Sequence, residues 1–312
     1  MSRRGKVVTV TLNPAFDVTI HIGTLSFDAV NRVMRETREA AGTGVNIALA
    51  LKVLGADSSA AGLAGEENIG SFVCMLEQKG LCADFVPVTG SVRENLTILS
   101  EGETIKINRS GPRCSPTALD LLLEKLRGLF SAGDIAVFGG SMPNGMDKPL
   151  FLSLVRHCSD IGYKIALDTD VLTAEEICSL RPWLIKPNIH ELGMMTSRSF
   201  QSEEEMIAAC RGFAECGVGI VLLSMGSDGL AAVTADTVVI ARPPEVAAVN
   251  TVGAGDSTLA GFISRILLEK PLSEAVMYAA ACGAAAILTE ASVIESTDKI
   301  SEILQNTEIT EL

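Results

Sequence analysis

The segment 250–257, NTVGAGDS, combines a carboxylate with residues that leave backbone amides uncovered. Gly253, Ala254 and Gly255 have at most a methyl side chain, and an apolar helical run follows them. A glycine-rich loop that opens a helix offers free N–H groups and the positive end of the helix dipole, which both favour an anion. Asp256 would then lie beside a bound phosphoryl group and accept the proton of a hydroxyl that attacks phosphorus. An ordinary tight turn capped by an aspartate is the alternative.

A lysine, an amide and a carboxylate occur close together at the end of a predicted strand. Lys186 could neutralise phosphate, while Asn188 and Glu191 offer the hard oxygen atoms that Mg²⁺ prefers, directly or through water. The alternative is a proline turn with Glu191 at a helix start.

Three further positions carry polar residues next to glycine or between strands. The loop 42–46 precedes a predicted helix, where the backbone could approach a small ligand and Asn46 could bind a hydroxyl. The run 139–145 follows a strand and suits an anion or a hydroxyl. Arg93 lies between two predicted strands and could form a bidentate phosphate clamp. The alternatives are a capped loop at 42–46, an ordinary turn at 139–145 and a solvated surface charge at Arg93.

Composition and charge narrow the classes of function. The 312 residues are 47% hydrophobic and carry a formal net charge of −13. An acidic surface repels nucleic acid and anionic membranes, so neither is an expected partner. The apolar run 275–288 is too short to span a bilayer, and the one after residue 4 is too short for a signal peptide.

Several motifs of other enzyme classes are missing from the sequence. GxGxxG, GxxxxGK[ST] and HExxH do not occur, and the three histidines are dispersed. The eight cysteines form no CxxC pair. We interpret them as reduced, mostly buried thiols of a cytoplasmic protein.

Hydrophobic periodicity predicts strands that alternate with helices. The predicted strands are 6–12, 17–22, 59–65, 83–88, 95–100, 104–108, 134–138, 164–168, 183–186 and 219–224, followed by a hairpin at 229–242. The predicted helices are 41–54, 69–80, 115–130, 148–161, 173–180, 202–216, 255–269, 273–289 and 298–305. This alternation predicts one α/β domain over 1–312, a three-layer α/β/α fold with a mostly parallel central sheet.

Ligands of such a sheet bind at the carboxyl ends of its strands, where the polar and glycine-rich motifs fall. The strands at 17–22 and 95–108 do not fit the alternation. We interpret them as a small β-sheet lid over those ends, formed by about 14–38 and 88–112.

Short motifs along nearly the whole chain resemble those of the PfkB family of ribokinase-like sugar kinases, and most closely its 1-phosphofructokinase and tagatose-6-phosphate kinase branch. They are TLNPAFD (11–17), GTGVN (42–46), REN (93–95), GSMP (140–143), KPN (186–188), SMG (224–226) and GAGD (253–256). Ser2-Arg3-Arg4 and Ala40-Ala41-Gly42 are also similar to 1-phosphofructokinases.

The resemblance implies roles on the acceptor side of the site. Asp17, Gly42 and Asn46 would hold the sugar hydroxyls. Arg93 and Ser141 would hold the phosphate that the acceptor already carries.

It also implies the catalytic and nucleotide residues. Asp256 would be the base, and the amides of Gly253, Ala254, Gly255 and Asp256 would form the anion hole. Asn188 and Glu191 would organise Mg²⁺ through water. Lys186 would contact the phosphates of ATP, and Ser224, Gly226 and Gly229 would shape the nucleotide pocket, to which Asn188 also belongs.

The activity that the resemblance implies is transfer of the γ-phosphate of ATP to a ketohexose monophosphate, with conversion of fructose 1-phosphate to fructose 1,6-bisphosphate favoured. The lid would also form the contact of a homodimer. One departure bears on the acceptor, because Thr43 replaces the lysine that is usual in the phosphosugar branch. The alternative acceptors are therefore tagatose 6-phosphate, fructose 6-phosphate, and an unphosphorylated sugar or nucleoside. A non-catalytic sugar-phosphate sensor is a further alternative function.

Overall fold

The computed structural model describes residues 5–129, 131 and 133–312 of the chain. The similarity at Ser2-Arg3-Arg4 and the predicted helix end at Phe130 lie outside the described residues.

The strands and helices of the described residues have the following bounds. The strands are β1 (Val7–Thr11), β2 (Ala15–Ile22), β3 (Arg35–Ala41), β4 (Ser58–Gly65), β5 (Cys82–Val88), β6 (Arg93–Ser100), β7 (Glu103–Asn108), β8 (Ile135–Gly139), β9 (Lys164–Asp168), β10 (Leu184–Ile185), β11 (Ile220–Ser224), β12 (Leu230–Val233), β13 (Val238–Arg242) and β14 (Glu308–Glu311). The helices are α1 (Thr43–Val53), α2 (Ile69–Gln78), α3 (Pro116–Leu129), α4 (Lys148–Asp160), α5 (Ala174–Leu180), α6 (Ile189–Thr196), α7 (Glu203–Glu215), α8 (Ala254–Ile266), α9 (Leu272–Ala286) and α10 (Asp298–Gln305).

The central sheet of the described chain has ten strands in the order β14-β13-β12-β11-β10-β9-β8-β1-β4-β5. The strands from β5 to β11 in this order are parallel, and β12, β13 and β14 continue the sheet in antiparallel fashion. Every residue of β1 and β8 is buried, as is typical of parallel strands that are covered on both faces.

Helices cover both faces of this sheet and make two hydrophobic cores. Val8, Val10 and Phe138 face one core with α3, α4, α5, α6 and α7. Successive side chains of a strand point to opposite faces, so Val7 and Val137 face the other core. Residues of α1, α8, α9 and α10 complete that core. Complete burial of a side chain the size of Phe138 stabilises the fold by about 1.5–3 kcal/mol. The expected three-layer α/β/α architecture is confirmed.

Side-chain caps determine where several of the covering helices begin. Asp147, Thr173 and Ser202 accept hydrogen bonds from amides in the first turns of α4, α5 and α7 respectively. Such caps satisfy donors that have no partner inside the helix, and each contributes roughly 1 kcal/mol.

A separate small sheet lies beside the carboxyl end of β1. Its order in the described chain is β3-β2-β6-β7, with β2 and β6 parallel and the outer pairs antiparallel. Only the short connection 12–14 separates β1 from β2, so the small sheet starts where β1 ends. Phe16 packs edge-on against Phe72 of α2 and ties this sheet to the body of the molecule.

Four sequence-based assignments differ from the structure. The run 35–41 forms β3, so α1 begins after Ala41 rather than at it. We did not predict this strand from the sequence, because its charged residues lie on a largely exposed edge of the sheet. Helix α6 and strand β14 were not predicted, since α6 is short and β14 is exposed throughout.

The cysteines also differ from expectation. Cys178 and Cys216 form a disulfide bond between the end of α5 and the C-cap of α7, although we expected reduced thiols throughout. Of the free cysteines, Cys114, Cys158, Cys210 and Cys282 are buried and Cys74 and Cys82 are exposed. Residues 38 positions apart in the chain meet here because α5 and α7 cover the same face of the sheet, which spacing alone does not reveal. No helix within the described ranges has both the length and the apolar character that a bilayer span requires.

Candidate active site

The catalytic candidate Asp256 lies in the first turn of α8. Gly253 precedes the helix with a φ of 74°, a left-handed conformation that favours glycine. A Cβ atom at this position would lie 1.6 Å from the backbone oxygen of Ser292, so the close approach also excludes a side chain. No side chain among the described residues caps α8, and the amides of its first turn stay available to an anion.

The side-chain amide of Asn46 donates a 2.8 Å hydrogen bond to Oδ2 of Asp256. Burial raises the pKa of the Asp256 carboxyl to about 7, and the Asp168 carboxylate adds to the rise. The hydrogen bond from Asn46 and the charge of Lys186 oppose it. A carboxylate whose pKa lies near neutrality is suited to accept a proton and release it again.

Lys186 extends from the end of β10 towards the start of α8. Its Nζ lies 3.1 Å from Oδ1 of Asp168, and the two side chains are only 7% and 10% exposed. Burial alone would lower the pKa of the ammonium, but the Asp168, Asp256 and Glu191 carboxylates raise it above its ordinary value. A Cβ atom on Gly255 would lie 3.0 Å from Nζ, so glycine leaves room for a charged lysine beside the helix start.

A cavity of about 920 Å³ opens on one side of Lys186 and α8. This volume is within the usual range for a small-molecule site. All of the sequence-predicted nucleotide residues line it: Lys186, Asn188, Ser224, Gly226 and Gly229. Ser224 Oγ is buried and has no hydrogen-bond partner among the described residues.

The apolar part of this cavity was not identified from the sequence. Val246, Ala280, Ala284 and Ile287 line it together with backbone of the loop after β13. Only the tertiary structure reveals that Ala280 and Ala284 of α9 face this cavity.

The residues expected to organise Mg²⁺ are joined to each other at the start of α6. Asn188 Oδ1 accepts a hydrogen bond from the Glu191 amide at 2.9 Å, and Glu191 Oε2 accepts one from the Asn188 amide at 2.8 Å. This capping box leaves the second carboxylate oxygen of Glu191 free of that role. Burial raises the pKa of Glu191. No cluster of three or more acidic, histidine or cysteine side chains with metal-site spacing occurs in the part of the chain that the structure describes.

The acceptor-side candidates lie where the small sheet meets β1. Asp17 Oδ1 accepts a 2.9 Å hydrogen bond from Asn95 Nδ2, across directly paired positions of β2 and β6. Burial raises the pKa of Asp17. Ser141 Oγ accepts a 3.1 Å hydrogen bond from Asn13 Nδ2, and Gly42 has a φ of 131° that a side chain would strain.

The structure brings several of the predicted residues close to the start of α8. Asn46 and Lys186 meet the start of α8 directly, and Asp17 and Asp168 are close enough to influence the pKa of Asp256. Asp168, Asn13 and Asn95 were not assigned roles from the sequence. The signal for Asp168 was its place at the carboxyl end of a buried strand.

Comparison with known proteins gives consistent findings. The profile of the pfkB family carbohydrate kinases matches residues 11–299. A 1-phosphofructokinase of Bacillus subtilis is 30% identical over 98% of this chain and 100% of its own length. A 1-phosphofructokinase of Xanthomonas campestris is 33% identical over 84% of each chain. Phosphofructokinase-2 of Escherichia coli, solved in complex with substrates and products, has a TM-score of 0.89 and 24% identity, covering 96% of this chain and 98% of that one, and so shares the fold.

Proposed function

This chain belongs to the pfkB family of carbohydrate kinases, and from that premise we propose that it transfers the γ-phosphate of ATP to a hydroxyl of a ketohexose monophosphate, with fructose 1-phosphate as the favoured acceptor. It is thus a phosphotransferase that acts on a sugar hydroxyl. The observation that carries the proposal is the place of Asp256, which pairs a carboxylate with the uncapped start of α8.

Asp256 acts as the general base in this proposal. Its carboxylate accepts the proton of the acceptor hydroxyl as that oxygen attacks the γ-phosphorus. Asn46 donates to Oδ2 and so orients the carboxyl group while the other oxygen stays free for the sugar. Asp17 and Gly42 lie on the acceptor side, where they hold further sugar hydroxyls.

The start of α8 stabilises the phosphoryl group during transfer. The amides of Gly253, Ala254, Gly255 and Asp256 point towards negative charge that develops on its oxygens, as in an oxyanion hole. Lys186 neutralises phosphate oxygens beside them, in keeping with its position against Gly255.

The 920 Å³ cavity fits ATP on two counts. Its far part has the apolar lining that a purine ring needs, and its near part ends at Lys186 and the amides of α8, where phosphates would lie. The hard oxygen donors of Asn188 and Glu191 fit Mg²⁺ held through water, and the ion would neutralise charge on the phosphates when bound.

The phosphate of the acceptor is assigned to Arg93 and Ser141. Arg93 lies at the start of β6 and pairs in register with Ala15, close to the end of β1. An arginine in this position favours a phosphorylated acceptor, since a neutral sugar gives the charge nothing to bind. Thr43 is the observation that favours a neutral sugar or nucleoside, because its side chain packs against Gly139 and Gly140 and brings no charge.

We also assign the lid to the contact of a homodimer. The connection between β2 and β3 exposes Phe27, Val30 and Met34 by 87%, 87% and 77%. Exposed apolar groups clustered in this way are typical of an interface. ATP and sugar phosphates are cytoplasmic metabolites, so the proposed activity places the protein in the cytoplasm.

A panel of acceptors tests the proposed function. Fructose 1-phosphate, fructose 6-phosphate, tagatose 6-phosphate, fructose, ribose and adenosine would each be incubated with ATP and Mg²⁺, and the products identified by phosphorus NMR. We expect the highest kcat/KM with fructose 1-phosphate and formation of fructose 1,6-bisphosphate. Preference for an unphosphorylated acceptor would contradict the proposal, and binding without ATP consumption would indicate a sensor.

A further inference from the structure

Asn13 lies in the short connection between β1 and β2 and is only 5% exposed. A polar side chain that is buried so deeply requires hydrogen-bond partners. Its side-chain nitrogen lies within donor distance of three oxygens, Ser141 Oγ at 3.1 Å and the backbone oxygens of Met142 and Ser110 at 3.3 and 3.4 Å. One amide therefore joins the loop that follows β8 to the segment that follows β7.

The neighbours of Asn13 determine which way its amide group points. The backbone oxygens of Ser110 and Met142 can only accept hydrogen bonds, so the side-chain nitrogen of Asn13, and not its oxygen, must face them. The Ser141 hydroxyl oxygen accepts from the same nitrogen. The hydrogen of that hydroxyl then points away from Asn13 and can be donated to a ligand oxygen.

The oxygen of the same amide shows that filling space does not explain an asparagine at this position. Asn13 Oδ1 is buried and has no hydrogen-bond partner among the described residues. A buried oxygen without a partner destabilises a fold, and a leucine of nearly the same shape would not have one. The feature that asparagine adds here is the pair of N–H donors.

The segment 109–111, which leads from the lid back to the body, holds the amide in place. A Cβ atom on Gly111 would lie 2.1 Å from Asn13 Oδ1, and the φ of 85° at Gly111 favours glycine as well. The backbone oxygens of residues 109, 110 and 111 accept hydrogen bonds from the side chains of Arg93, Asn13 and Asn144 in turn. Because this segment is bonded at each residue, it gives Asn13 a rigid support.

The loop after β8 is fixed on both sides of Ser141. The amide of Gly140 donates to the backbone oxygen of Asp168 at 3.1 Å, and Thr169 Oγ1 donates to the oxygen of Gly140 at 3.0 Å. On the other side, Asn13 bonds the Ser141 hydroxyl and the backbone oxygen of the next residue. Loss of the Asn13 amide would therefore release the hydroxyl while the start of the loop stays anchored.

We propose that Asn13 is a positioning residue, which holds the Ser141 hydroxyl oxygen so that its hydrogen is donated to the sugar phosphate. The inference rests on the proposed function, in which Ser141 contacts the acceptor, and adds a residue that does not itself touch the substrate. An N–H donor behind the hydroxyl also polarises it and strengthens the bond that it donates. Asn13 thus acts on the acceptor through Ser141 alone.

Binding and kinetics of Asn13→Leu and Asn13→Ala test this inference. Leucine keeps the shape of the side chain without its donors, so it remains a test if the alanine variant does not fold. Fructose 1-phosphate would be titrated calorimetrically into each protein without ATP, and both KM values and kcat measured with ATP. We expect binding of fructose 1-phosphate on the order of tenfold weaker, because hydrogen bonds to charged groups are the stronger class. KM for ATP should change little, since neither Asn13 nor Ser141 lines the nucleotide cavity.

Two further variants separate positioning from packing. Once Ser141→Ala has removed the hydroxyl, the addition of Asn13→Leu should cause little further loss of affinity, so the two changes should be far from additive. Asn306→Ala removes an exposed amide that also donates to a backbone oxygen, and it should bind like wild type. Thermal unfolding would identify the variants that remain folded.

The outcomes distinguish this inference from the proposed function. Wild-type affinity of Asn13→Leu for fructose 1-phosphate, in an enzyme that turns this sugar over, would overturn the inference alone. An equal loss of affinity with and without the Ser141 hydroxyl would also overturn it, because Asn13 would then act independently of Ser141. A wild-type protein that phosphorylates only neutral acceptors would overturn the proposed function instead.

Discussion

Asn46 Nδ2 donates a 2.8 Å hydrogen bond to Oδ2 of Asp256, across 210 positions of sequence. Asn46 lies in the first turn of α1 and Asp256 in the first turn of α8, so the bond joins the starts of two helices on one face of the sheet. It fixes one of the two carboxylate oxygens. The arrangement gives the Asp256 carboxyl group a defined orientation in the protein without substrate, as the proposed role of a general base requires.

Replacement of the base should remove most of the activity. We expect Asp256→Asn to lower kcat by on the order of 10²–10⁴-fold, because an amide cannot accept the proton of the attacking hydroxyl. Steady-state kinetics with ATP and fructose 1-phosphate measure the effect. Asp236→Asn, on the exposed turn between β12 and β13, is the matched control. Near-normal turnover of a folded Asp256→Asn protein would contradict the assigned role.

Because the pKa of Asp256 is raised, an increase in pH should lower the stability of the protein and raise its activity. The carboxyl group of Asp256 has a pKa of about 7 in the folded protein and 3.8 in the unfolded chain, so the folded protein holds the proton more strongly. The contribution of Asp256 to the free energy of unfolding therefore declines as pH rises from about 4 to 7. Asp256→Asn should match wild type near pH 4 and exceed its stability at pH 8.

Thermal unfolding of both proteins between pH 4 and 8 would measure the stability difference. In parallel, kcat/KM of the wild type should rise with pH through about 7 as the base loses its proton. A stability difference that does not vary with pH would show that this carboxyl is ionised normally.

Glycine at position 255 should be needed for ATP binding rather than for folding. An added Cβ would lie 3.0 Å from Nζ of Lys186, whose ion pair with Asp168 leaves it little freedom to move. We expect Gly255→Ala to raise KM for ATP about tenfold or more, as for loss of a hydrogen bond to a charged group.

Gly212→Ala provides the control for this change. It adds the same methyl group to α7, where nothing lies within 4 Å, and should stabilise the protein by about 0.5–1 kcal/mol without affecting KM. An unchanged KM for ATP in Gly255→Ala would exclude steric control of Lys186 by this glycine.

The disulfide between Cys178 and Cys216 should contribute to stability. It closes a loop with a sequence separation of 38 residues and restricts the unfolded chain. Cys178→Ser should lower the free energy of unfolding by about 2–4 kcal/mol, while the exposed Cys74→Ser should have little effect. Urea unfolding with and without a reducing agent would measure this. Equal stability in the two conditions would indicate that the bond is absent in solution.

The exposed lid residues should control association. Phe27→Glu places a charge on a side chain that is 87% exposed, so it should leave the protomer folded but weaken a homodimer. Analytical ultracentrifugation at several concentrations would detect the change in mass. Val249→Glu, on an exposed side chain outside the lid, is the control. A wild type that stays monomeric would contradict the dimer proposal.

The sequence by itself determined the architecture and the main site motifs. Buried strands such as β1 and β8 consist mainly of apolar and β-branched residues, so their alternation with amphipathic helices predicts the parallel sheet. The loop before α8 can be recognised in the sequence by Gly253 and Gly255. The left-handed backbone at Gly253 and the close approach of other atoms at both positions favour glycine. Local periodicity and local backbone conformation depend on a short stretch of residues, so they can be predicted from the sequence.

Tertiary structure decided the relationships between distant residues. The pairing of Asn46 with Asp256, the ion pair of Lys186 with Asp168, and the disulfide each join elements that share no local pattern. The raised pKa of Asp256 depends on burial and on the charge of Asp168, which lies on strand β9. The edge strand β3 forms because β2 provides its partner, although its own residues have no buried alternation. Such features depend on which surfaces pack together, so one-dimensional patterns cannot contain them.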